Sequence, residues 1–413
     1  MRKRLWEVSR RVALSALAAL VCTPGTVHAA QQSHAGIHLA QRLGPAPREV
    51  KSLASEHFDL QYDPARLSEE QATDARRLAE SAWTWNRQLF GSAPDHRLKI
   101  DLTPDFQGAT GFFKPGDPTA KQPDRRPFIG VRFGELDYLG LPAEYVLRHE
   151  IAHWFSGDLA GSPLGEGIAD WAAGQFAGVP ARPWWGEELR KAGLWVEPEA
   201  FFITGDFDAP NEVNAPIRTA SYAESALLIR YLVERFGWQK FRDFAADYSE
   251  ARGPLTSNDS RKEIRVRPRR PQSGKAERDP RLAPDAEAVR ATFEKHFGTP
   301  WSQLRSEWEK GMRADPAPPE QAEGLVLAFR IYGAIRNYEM WLIQQRAAPS
   351  RASQEAVRRA FTRANTLQKQ RDYPAARQAL ADARSLVQQL REPRSIARSS
   401  SEDSGNLTRG RRV

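Results

Sequence analysis

His149-Glu150-Ile151-Ala152-His153 constrains this chain more than any other stretch of it. In an α-helix, residues four apart lie one above the other, so the two imidazoles are aimed at a single point. Glu150 stands about 100° further round the helix, beside that point rather than on it. The flanking Val146, Leu147, Ile151, Ala152, Trp154 and Phe155 are apolar, which places the histidines in surroundings where a polar group needs a partner. The pentapeptide therefore predicts a buried helix with two ligands converging on one focus.

Two imidazoles leave a metal ion short of donors, and catalytic zinc sites take a third from the protein while keeping a position open. Glu166 fits that role, with twelve residues between it and His153. Ser156-Gly157-Asp158 stops the first helix and Ser162-Pro163 opens a second, so a short turn can bring Glu166 back against the histidines. Asp170 follows one turn later on the same face, placed to accept an imidazole N–H and fix that ring's tautomer. On the pentapeptide alone, a helix carrying two core or solvated histidines competes closely with a metal site. Glu166 and Asp170 move the balance to a zinc centre, in which Glu150 is the base that takes a proton from water.

These residues resemble the gluzincin branch of zinc metallopeptidases, the thermolysin-like clan, and within it the bacterial peptidase MA-like domains. The resemblance rests on H-E-x-x-H at His149–His153 and on E-G-x-A-D-W at Glu166–Trp171. It implies an α+β fold: a thermolysin-like zincin with a small mixed sheet, an active-site helix, a mostly helical C-terminal lobe and additional C-terminal helices. It also implies ligand roles for His149, His153 and Glu166 and a general-base role for Glu150. The pattern extends from about Glu56 to Trp308. His57–Tyr62, Leu98–Leu102 and Pro127–Phe133 read as strands, and Ser68–Phe90 as a helix ending at Gly91. By analogy with the clan's edge strand, Phe128, Ile129, Gly130 and Val131 are expected to bind substrate by strand addition. Tyr222 matches the helix that carries a transition-state tyrosine in related aminopeptidases and lies 56 residues after Glu166. Its alternative is an ordinary position on an amphipathic helix. No segment like the aminopeptidases' terminus-binding element precedes the active helix, so endopeptidase activity is favoured. His296, the only histidine after Glu166, reads as structural.

Composition sets the compartment. A basic start, an apolar run from Val12 to Cys22 and Val27-His28-Ala29 read as a signal peptide over residues 1–29, whose removal takes the single cysteine with it. The run is too short to span a bilayer. The expected location is therefore periplasmic or secreted, by a Sec or twin-arginine route, with nucleic acid excluded as partner despite a net charge of +8. Residues 30–50 form a linker and 51–313 the catalytic part, interrupted at about 256–284 by a basic insertion too poor in apolar residues to pack. Arg261–Arg281 within it reads as solvated chain or, more sharply, as a contact with anionic envelope polymer or lipid headgroups. Residues 314–392 read as helical, with a tetratricopeptide-like hairpin over Ser353–Leu390 or a helical pair packed on the enzyme, and 393–413 as a disordered tail.

The expectation from sequence is a zinc-dependent peptidase acting on peptide or protein substrates. Two other readings stay open. One is an envelope binding or scaffold protein with a structural or degenerate metal site. The other is a metal hydrolase of cell-wall amides, which would use the same chemistry in a differently shaped cleft.

Overall fold

A computed structural model of the chain describes residues 49–106, 108–116, 126–157, 163–204, 215–252, 285–345 and 348–392. The signal segment, nearly all of the linker, the basic insertion with Arg261–Arg281, the Asp158 and Ser162 helix signals and the tail lie outside the described residues.

The fold is mostly helical with a small mixed sheet. Five short strands, β1 (Lys51–Ala54), β2 (Phe58–Tyr62), β3 (Leu98–Asp101), β4 (Gly111–Lys114) and β5 (Phe128–Val131), form a sheet in the order β1-β2-β3-β5-β4. The pairs β2–β3 and β3–β5 are parallel, while β1 and β4 run antiparallel at the two edges. Between β2 and β3 runs α1 (Glu69–Phe90), the crossover that parallel neighbours require. Its ends are dictated locally. Ser68 Oγ accepts the Gln71 N–H and Gln71 Oε1 accepts the Ser68 N–H, while Gly91 closes the helix in a left-handed conformation. Ala72, Ala75, Ala79 and Ala82 make a buried face of small residues, which allows close approach of the helix that carries the two histidines.

Phe58, Leu60 and Tyr62 on β2, Leu98 and Ile100 on β3, and Ile129 and Val131 on β5 are all buried. Period-two alternation puts them on one face of the sheet. After β5 come α2 (Leu136–Leu139), α3 (Ala143–Ser156) and α4 (Pro163–Ala173), then a two-strand hairpin of β6 (Gln175–Phe176) and β7 (Val179–Pro180). The rest is helical: α5 (Trp185–Lys191), a π-helical turn at Glu199–Thr204, α6 (Ala215–Phe236), α7 (Trp238–Arg252), α8 (Ala286–Phe297), α9 (Trp301–Ala314), α10 (Pro319–Gln344), α11 (Arg351–Lys369) and α12 (Tyr373–Arg391). Among the described residues, no helix is long and apolar enough to cross a membrane.

One expectation needs correction. Phe128–Val131 is a strand, but an interior one, paired with β3 on one side and β4 on the other. Its backbone donors and acceptors are engaged in both ladders, so it offers nothing for strand addition. The edge belongs to β4, whose four half-buried residues carry no alternation that a sequence reading could detect.

The described residues of 314–392 are largely helical and pack against the preceding elements. Pro319 starts α10 at its first turn, and α10 packs along α6. The α11–α12 hairpin rests on α2 and α10, with Asn365 Nδ2 donating to the Tyr138 carbonyl at 2.7 Å and Gln368 Nε2 to the Gly324 carbonyl at 3.1 Å. One buried ion pair ties this part to the sheet. The Arg132 guanidinium, just past β5, grips both oxygens of Glu339 on α10 at 2.7 and 2.8 Å.

Candidate metal centre

The centre is built where α3 and α4 pack together beneath the edge strand. α3 begins after Pro142 and closes at Gly157. Its burial follows its sequence: Val146, Leu147, Ile151 and Ala152 enter the core, and Glu150 and His153 are carried in with them at 5% and 6% exposure. α4 brings Glu166 and Asp170 to the same place. Gly167 allows α4 to seat closely on α6, since a Cβ there would lie 2.1 Å from Ser225 Oγ.

His149 Nε2 and His153 Nε2 lie 3.3 Å apart, and Glu166 Oε2 is 3.3 Å from the first and 3.7 Å from the second. A tetrahedral ion with bonds of about 2.0–2.1 Å needs donors roughly 3.3 Å apart. The three atoms already have that spacing, and all lie within 4.8 Å of one another. His149 Nδ1 is 2.8 Å from Asp170 Oδ1. With Nδ1–H donating to the carboxylate, the Nε2 lone pair faces the focus. Tyr145 Oη donates to the same Asp170 oxygen at 2.8 Å, so the orienting carboxylate is itself held. Glu166 is the most open of the group, with 38% of its side chain exposed. A donor set of two imidazoles and one carboxylate, open on one side, fits a divalent ion of the zinc type.

The electrostatics agree with the geometry. Burial pushes the Glu150 carboxyl up to about 7, with His149 and His153 pulling the other way. Burial opposes charge on His149 and Glu166 as well, yet their mutual contact and Asp170 win. His149 is held well above the usual imidazole range and Glu166 well below the usual carboxylate range. A site that favours a proton between these groups favours a cation there too, so proton and metal compete for it. Burial and Asp170 keep the Tyr145 phenol well above its ordinary range, which leaves it a donor.

The edge strand lies directly against this group. A Cβ on Gly111 would come within 2.4 Å of Glu150 Oε1, so only glycine lets β4 pass over the carboxylate. Phe113 lies parallel to the His153 ring, centroids 6.4 Å apart.

His149, Glu150, His153, Glu166 and Asp170 are thus brought together. Phe128–Val131 lies one strand away from the edge. Tyr222 stands on α6, three residues before Ser225, with its hydroxyl 3.4 Å from Arg218 Nε. His296 pairs with Asp247 at 2.8 Å, in a structural setting. Several contributors escaped the sequence reading. Tyr145 was detectable, since it stands four residues before His149 on the ligand-bearing face. Tyr332 of α10 was not: its hydroxyl bonds Thr110 Oγ at 2.8 Å, at the entry to β4, from 222 residues away. No family model, curated protein or solved structure matches this chain.

Proposed function

We propose that this chain is an exported zinc metallopeptidase of the gluzincin type, with a thermolysin-like arrangement and endopeptidase action favoured. The observation that carries the reading is the placement of Glu150: a buried carboxyl set beside a three-donor cluster and under the outermost strand on that side of the sheet. A purely structural metal site is closed by a fourth protein ligand and has no use for a poised base.

His149, His153 and Glu166 would hold the ion, which when bound supplies Lewis-acid polarisation of a carbonyl and lowers the pKa of water from about 15.7 toward ~7. Glu150 accepts a proton from the attacking water and returns it to the departing amine, a task suited to a group whose pKa lies close to the working pH. Asp170, steadied by Tyr145, keeps His149 in the tautomer that presents Nε2. The extended backbone of the substrate lies along β4, the strand that passes over Glu150, which draws the scissile bond across that carboxylate.

The test is metal analysis of the mature protein with a mixed peptide library, beside Glu150→Gln. About one zinc per chain is expected in both proteins, with turnover at least ~100-fold lower in the variant. Zinc-loaded wild type that leaves both peptides and envelope amides uncut refutes the reading.

A further inference from the structure

Arg218 is the feature that this reading leaves unused. It stands on α6 with Tyr222, Ser225 and Ile229 at intervals of four, three and four residues, a spacing that lines one helix face. That face meets α4 beside the third ligand, because Ser225 and Ile229 are the side chains that pack over Gly167. Arg218 therefore lies further along the face that looks toward Glu166. The neighbouring Tyr222, and beyond it Glu166 and Tyr332, strengthen its hold on its proton.

Its hydrogen bonding is incomplete. Nε donates to Tyr222 Oη at 3.4 Å, and among the described residues no acceptor meets the two terminal nitrogens and no carboxylate lies within 4.0 Å. Four other arginines of the helical part show the usual alternative. Arg190 pairs with Glu187, Arg230 with Glu234, Arg290 with Glu199 and Arg305 with Glu309. The residue is exposed, so its fork is open to a ligand. A guanidinium presents its N–H groups in a plane that matches a carboxylate with two parallel bonds.

We propose that Arg218 is an anion-binding subsite beside the metal centre, which selects peptides carrying a carboxylate near the scissile bond. On the metallopeptidase reading, on which this rests, that carboxylate is the free C-terminus of a short peptide or the side chain of an aspartate or glutamate. Tyr222 orients the guanidinium through Nε. Tyr332, which bonds Thr110 at the entry to β4 and acts electrostatically on Arg218, relates the subsite to the Gly111 end of the edge strand.

Calorimetric titration tests this without turnover, using zinc-loaded full-length protein carrying Glu150→Gln. One arm compares N-acetyl-tetra-alanine as free acid and as amide. The other compares N-acetyl-Ala-Ala-Asp-Ala-amide with its asparagine counterpart. The carboxylate member of one arm is expected to bind about 10-fold more tightly or better, and the arm that discriminates identifies the source of the charge. Adding Arg218→Gln should erase the difference. Arg218→Lys should restore part of it, because it keeps the charge but loses the fork. Equal binding within both arms, no measurable binding in either, or discrimination that survives Arg218→Gln overturns the proposal. The peptidase reading is tested separately by turnover in protein that retains Glu150. Absent turnover with intact discrimination refutes that reading and leaves the anion site standing.

Discussion

Removing one member of the Arg132–Glu339 pair should be among the most damaging single changes available in this fold. The side chains are 1% and 2% exposed. Glu339 accepts two bonds from the guanidinium and one from the Gly108 N–H at 2.9 Å, and Arg132 also donates to the Ala109 carbonyl at 3.0 Å. Breaking a buried pair from one side costs about 3–5 kcal/mol, because the other charge is left uncompensated. The two sides are not equal. Glu339→Leu leaves Arg132 with Glu135, so its cost belongs at the lower end, whereas Arg132→Met strands Glu339 and belongs at the upper end. Replacing both together removes both charges and leaves mainly the Gly108 N–H and Ala109 carbonyl without partners, about 2–4 kcal/mol in all. With one single at about 3 and the other at about 5 kcal/mol, they sum to about 8 kcal/mol, so the double mutant should show a coupling of roughly 4–6 kcal/mol. Against a total stability on the order of 5–15 kcal/mol, the singles are near the limit of what the protein tolerates. Urea unfolding of the four proteins, at constant m-value, measures this. Singles that cost under about 1 kcal/mol, or a double mutant equal to their sum, would refute the account of a coupled buried pair.

Three further outcomes follow from the geometry. Asp170→Ala should weaken zinc binding by about 10–100-fold in a competition titration, and Tyr145→Phe by less, since Asp170 touches the ligand and Tyr145 only steadies Asp170. Gly111→Val should lower turnover while leaving metal content unchanged, because the new side chain displaces Glu150 and not the three donors. Glu224 on α6 is fully buried, with one oxygen unpartnered and the other accepting the Val196 N–H at 3.2 Å. Burial raises its pKa well above 4.5, with Glu197 acting in the same direction. The folded state thus binds the proton more tightly than the unfolded one. The stability this group allows is complete below pH 4.5 and falls as pH climbs toward the raised value. Glu224→Gln should accordingly raise the melting temperature at pH 8, by an amount matching about 1–3 kcal/mol, and change it little at pH 4.

What was legible was local. His149, His153 and Glu150 could be read because helical spacing alone decides which way they face. Glu166 and Asp170 could be read because only a few residues separate α4 from α3. The ends of α1 could be read because Ser68, Gln71 and Gly91 complete its hydrogen bonds within a turn. The sheet shows where this stops. Phe128–Val131 was recognisable as a strand by its composition, but whether a strand is interior or at an edge depends on its neighbours. Here the neighbour is Gly111–Lys114, four residues with no periodic signature.

By itself, then, the sequence determined the three donors, the carboxylate beside them and the one behind them, since each is placed by a backbone geometry that repeats every 3.6 residues. Which strand passes over Glu150 at the sheet's edge came from the packing of whole elements. The packing likewise brings a C-terminal helix back through Glu339 and Tyr332 to hold the approach to that strand, and leaves Arg218 without a carboxylate partner among the described residues. These depend on contacts between residues from tens to more than two hundred positions apart, which arise from the packing of whole elements and leave no mark in local spacing.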